Sequence, residues 1–89
     1  MEIEVINNVY DVAEAKELVL GLIDSKIKFL NQKRFSQYER KGSWDDKLEE
    51  RLVSLKKEKE NVLGFFDSND PKFLNSSLEV KSIIKIKIK

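Results

Sequence analysis

Gly42 separates two long helical segments, and this break constrains the fold more than any other residue. Upstream, the stretch "DVAE" at 11–14 is a capping box in which Asp11 accepts from the backbone of Glu14. The pattern therefore predicts a helix over about 12–41 that ends at Gly42, a residue suited to a left-handed C-cap.

A second helix is predicted directly after this glycine, over about 44–66. Ser43 would be its N-cap, and Pro71 lies beyond its end and prevents its continuation. Two long helices joined by so short a turn must run antiparallel, so the second returns to the start of the first.

Alternating segments flank the two helices and predict one strand at each end of the chain. The first covers about 2–6 and is followed by a turn at "NNVYD"; the second covers about 78–88. We expect the strands to be antiparallel neighbours, and one allowed register places Glu2 opposite Lys87 and Ile3 opposite Ile86. The predicted fold is a single α+β domain of order β-α-α-β, with a long antiparallel helical hairpin and paired terminal strands.

Composition argues against several classes of function. The 89 residues include no cysteine and no histidine, which are the usual nucleophile, general base and metal ligands. We therefore expect no catalytic site, no cofactor site and no metal site, and a protein that is not an enzyme. Two acidic patterns are interpreted as structural features and not as metal sites. The acidic residues at 45–50 provide negative charge at the start of the second helix. The stretch "DSND" at 67–70 resembles the beginning of a calcium loop but lacks the later residues that such a loop needs.

The two helices differ in how much of their circumference is apolar. On a helical projection the second helix has an apolar stripe about 100° wide, whereas the apolar residues of the first spread over about 200°. One neighbouring helix cannot cover the first helix, so we expect a non-enzymatic interaction or assembly module that forms a homodimer or a higher oligomer. Another protein is an alternative partner. The residues predicted to bind the partner lie at the hairpin tip and along the last strand: Phe35, Tyr38, Trp44, Ile84, Ile86 and Ile88.

Nucleic-acid binding is the alternative function. It would use the lysines of the last strand, which are Lys81, Lys85, Lys87 and Lys89. A net charge of +1 and the excess of 14 lysines over 3 arginines weaken this hypothesis. The longest apolar run, at 18–23, is too short to span a bilayer, and the acidic N-terminal stretch does not resemble a signal peptide, so a cytoplasmic protein without membrane contact is expected.

Lys59 lies where the second helix would present a leucine to the first. Folding the hairpin about its turn brings Lys59 toward Lys26, so a polar layer or an anion held between them is one hypothesis. The simpler alternative is that both side chains reach outward to water.

Overall fold

The computed structural model describes residues 1–43, 45–67, 73 and 76–89. The elements are β1 (Glu2–Asp11), α1 (Val12–Lys41), α2 (Asp46–Phe66) and β2 (Ser77–Lys85). The predicted β-α-α-β order is confirmed, as is the antiparallel pairing of the first and last strands.

Both ends of α1 follow the predicted chemistry. The Asp11 carboxylate accepts a hydrogen bond of 2.7 Å from the Glu14 amide, and Gly42 adopts φ 70°, where its amide donates to the Tyr38 carbonyl. The predicted start of α2 is wrong by two residues, because its N-cap is Asp45 rather than Ser43. Asp45 accepts from the Lys47 amide at 2.9 Å, and its carboxylate also carries the negative charge that suits a helix N-terminus.

The two helices are held together by ion pairs in constant register. These pairs are Arg34–Glu49 at 3.0 Å, Asp24–Lys59 at 2.7 Å and Lys16–Asp67 at 2.8 Å. From the first pair to the second, the α1 partner lies ten residues earlier and the other partner ten residues later. From the second pair to the third, both partners shift by eight residues in the same directions. The antiparallel hairpin therefore runs without slippage from its tip to its base.

The predicted first strand is too short, since β1 reaches Asp11 and includes the residues assigned to a turn. Asparagines favour turns, but β2 offers partners along this segment: Asn8 lies opposite Val80 and Tyr10 opposite Leu78. The two strands are therefore nearly equal, with ten and nine residues, and the expectation that the last strand is almost twice as long is wrong.

The register differs by two residues from the allowed register given above. Glu2 lies opposite Lys85 and Ile3 opposite Ile84, and a bulge between Glu4 and Ile6 changes the pairing along the rest of the ladder. The ladder ends with two backbone hydrogen bonds between Met1 and Ile86, so β2 stops short of the predicted residue 88.

The core of this chain is small. Among the described residues, five hydrophobic side chains are buried: Ile6, Ala15, Leu30, Leu48 and Leu52. The three leucines form one cluster between the helices. The molecule measures 52 × 32 × 16 Å, and its radius of gyration is 16.4 Å, whereas a compact domain of this length has about 12 Å. The chain is therefore a thin plate with little interior.

No helix in the described part of the chain is both long enough and apolar enough to cross a bilayer.

Candidate interaction surface

An apolar strip lies on the side of α1 that points away from α2. Ile27 and Leu30 of α1 pack at the core between the helices, and Phe29 lies about 160° around the helix from Ile27. Phe29 is 62% exposed and Leu22 is 41% exposed. We define the outer face of α1 by five residues on this side: Leu18, Gly21, Leu22, Ser25 and Phe29.

A shallow groove runs along the N-terminal half of the outer face. Tyr10 of β1 forms one wall, and the α1 residues Leu18, Gly21, Leu22 and Ser25 form the floor. A Cβ atom added to Gly21 would have no atom of the described residues within 4 Å beyond its own helix backbone and chain neighbours. The space beside Gly21 is therefore open within the described chain, although glycine is a residue of low helical propensity in the interior of α1.

Charge changes sign along the same face. Glu14, Gly21 and Lys28 are seven residues apart, so they lie on one line along α1, with the acidic side chain toward its N-terminus and the basic one toward its C-terminus. At 1.5 Å per residue each charge lies about 10 Å from Gly21. Both charged side chains are exposed.

The acidic end of this line includes two neighbouring carboxyl groups. Hydrogen bonding to the Glu14 amide lowers the pKa of Asp11, and the hydrogen bond and negative charge of Asp11 raise the pKa of Glu14. The two groups are held close at the start of α1, and a cation placed beside them would relieve their repulsion.

Two of the three residues predicted at the hairpin tip are among the described residues. Phe35 is 58% exposed, and Tyr38, whose carbonyl caps α1, is also exposed. Trp44 lies outside the described residues. A role of these three residues in partner binding stays a prediction.

The isoleucines predicted on the last strand lie at the open end of the sheet. Ile84 is exposed opposite Ile3, the backbone of Ile86 pairs with Met1, and Ile88 lies beyond the ladder and is fully exposed. In the described part of the chain the sheet has two strands, so each strand leaves one edge unpaired. Binding through these isoleucines also stays a prediction.

The lysines proposed for nucleic-acid contact are interspersed with acidic residues. Lys85 lies 3.6 Å from Glu2, and Lys81 follows Glu79, which occupies the same face of β2. Lys87 and Lys89 are exposed beyond the ladder. This mixture of charges forms no continuous basic surface within the ladder.

Lys59, one of the two lysines considered for a polar layer, forms an ion pair with Asp24 of α1 at 2.7 Å. Lys26 instead lines a separate groove between the helices together with Glu58 and Arg51. Among the described residues, no group of three or more acidic side chains is arranged to hold a metal ion. The calcium-like stretch at 67–70 lies mostly outside the described residues, and Asp67 forms an ion pair with Lys16.

An aromatic cluster at the base of the hairpin was missed by the sequence reasoning. The ring centroids of Phe65 and Phe66 are 5.1 Å apart, and Phe73 packs edge-on to Phe65 at 5.2 Å. Beside it, Val19 of α1 and Leu78 of β2 line a small groove with the end of α2. The available signal was three phenylalanines within nine residues where a helix ends, a spacing typical of local packing.

Comparison with known proteins adds no assignment, because no family model, no curated protein and no solved structure matches the chain.

Proposed function

We propose that this protein is a non-enzymatic assembly module that associates with copies of itself. One observation carries the proposal: the chain exposes far more surface than a self-sufficient monomer of its size. Its accessible surface is 7302 Å² at 10.4 kDa, whereas a folded monomer of that mass exposes about 5,400 Å². The excess is therefore about 1,900 Å².

This excess is comparable with the area that protein interfaces bury. A standard interface removes about 800 Å² from each partner, and obligate dimers bury more. The exposed side chains include large hydrophobic ones on both strands and, on the outer face of α1, Leu22 and Phe29. Self-association would cover apolar surface that neither the two-stranded sheet nor α2 can reach.

Sedimentation velocity over a concentration series, from low micromolar to several hundred micromolar, tests the proposal. We expect the mass to rise to twice the chain mass of 10.4 kDa, or to a higher multiple, while far-ultraviolet circular dichroism shows a helical protein throughout. A folded chain that stays monomeric over the whole series would overturn the proposal. Binding that appears only when a different protein is added would replace self-assembly by hetero-assembly.

A further inference from the structure

Resting on the proposed self-association, we infer that two copies pack antiparallel through the outer faces of α1, with a two-fold axis passing near Gly21. This packing depends on three features of the outer face: the charge line, the open glycine and the exposed apolar side chains.

Charge decides the orientation. Glu14 and Lys28 each lie seven residues from Gly21, so a two-fold axis at Gly21 places Glu14 of one chain opposite Lys28 of the other, twice. A parallel arrangement would instead bring each residue against its own copy, Glu14 against Glu14 and Lys28 against Lys28. Opposite charges across the contact favour the antiparallel pair, and like charges disfavour the parallel one.

Gly21 allows the two backbones to approach at the axis. Because no described atom would lie within 4 Å of a Cβ there, the space beside the glycine is open to a second helix. Leu18 and Leu22 lie on either side of it. With the axis at Gly21, Leu18 of one chain lies opposite position 24 of the other, about 3 Å along the helix axis from Leu22, so the two leucine side chains can pack together. Phe29 extends the apolar contact toward the end where Lys28 pairs.

The sheet edge is the competing contact between copies, and its chemistry is less suitable. Lysines along an edge are a common means of preventing strand addition, and β2 carries Lys81 and Lys85. A bulge also distorts β1 next to Ile6. The strands and the C-terminal stretch expose more large hydrophobic side chains than the outer face of α1 does. The lysines along the edge and the bulge disfavour strand addition, however, so the second copy is assigned to the outer face of α1.

The test uses two single variants of the full chain, Glu14→Lys and Lys28→Glu. In a homodimer of either variant, both charge pairs become like-charged, and we expect the dissociation constant to rise at least about tenfold. When the two variants are mixed, both pairs become opposite again. We therefore expect a one-to-one heterodimer with a dissociation constant within about threefold of the wild-type value.

Matched controls on α2 are Glu60→Lys and Lys57→Glu, which make the same charge changes at exposed positions away from the outer face. Neither control should change the dissociation constant by more than about twofold, alone or when the two are mixed. Circular dichroism of each variant checks that it is folded, since Glu14 lies in the first turn of α1.

The outcomes separate the two ideas. A wild-type chain that is monomeric removes both the proposed function and this inference. A wild-type oligomer whose Glu14→Lys and Lys28→Glu variants still self-associate like the controls removes the antiparallel contact alone and leaves self-assembly standing. Loss of association in both variants without recovery on mixing would also overturn the antiparallel pairing.

Discussion

Replacing Gly21 by alanine should act in opposite directions on the folding of one chain and on the association of two. In the isolated chain the new methyl group meets no described atom, so Gly21→Ala should raise the free energy of unfolding by about 0.5–1 kcal/mol through helical propensity. At a two-fold helix contact the same methyl enters the closest approach twice. Overpacking of this kind costs about 1–3 kcal/mol, which corresponds to a dissociation constant raised roughly 5- to 150-fold.

Gly64 provides the matched control, because it is an exposed glycine within α2 that also has no described atom near its added Cβ. Gly64→Ala should stabilise folding by a similar amount and leave association unchanged. Urea unfolding at a dilute and at a concentrated protein concentration, together with sedimentation equilibrium, measures both effects, since association adds to apparent stability by mass action. Equally tight association of Gly21→Ala and Gly64→Ala would contradict a close helix contact at Gly21.

Two further predictions concern the single chain. Leu52 is 1% exposed in the interhelical core, whereas its neighbour Val53 is 52% exposed. Leu52→Ala should therefore lower the free energy of unfolding by about 2–5 kcal/mol, and Val53→Ala by about 0.5 kcal/mol or less. Equal effects of the two substitutions in urea titrations would contradict the assigned core. Asp11→Ala should fray the start of α1 and Asp11→Asn should largely preserve it, as measured by amide hydrogen exchange at Glu14. Because the pKa of Asp11 is lowered in the folded state, the stability that Asp11 contributes is present above its unfolded pKa and is lost as the pH falls through its folded pKa. The pKa of Glu14 is raised, so Glu14 contributes stability at low pH that is lost as the pH rises through its folded pKa. A pH titration of unfolding in which Asp11→Asn matches the wild type would exclude a role for the Asp11 charge.

The helices could be predicted closely because their ends are determined locally. Asp11 and Gly42 each satisfy backbone groups of α1 within a few residues, so the range 12–41 follows from short sequence motifs alone. The predicted start of α2 is two residues too early because Ser43 and Asp45, which are two residues apart, are both residue types that serve as N-cap.

The ends of the strands could not be predicted in the same way, because the backbone hydrogen bonds of a strand are made with a partner strand that is distant in sequence. Asn7 and Asn8 have the propensity of turn residues, yet β2 supplies pairing partners for both. The register also depends on a bulge between Glu4 and Ile6, and no local motif in the sequence specifies it. The types of contact were nevertheless anticipated, since Glu2 meets a lysine and Ile3 meets an isoleucine.

The sequence predicts a partner, but it does not identify the surface that would receive one. The apolar spread of α1 indicates that α2 alone cannot cover it, while the exposed aromatics favoured the tip and the isoleucines favoured the last strand. Gly21 could be interpreted either as a defect in α1 or as a point of close approach, and the two interpretations differ only in what surrounds the residue. The structure shows open space at Gly21, an exposed leucine next to it, an exposed phenylalanine about two turns further along the same face, and opposite charges seven residues away on either side. An open glycine beside an exposed leucine, with opposite charges seven residues away on either side, is the basis on which an antiparallel pair of identical helices is proposed.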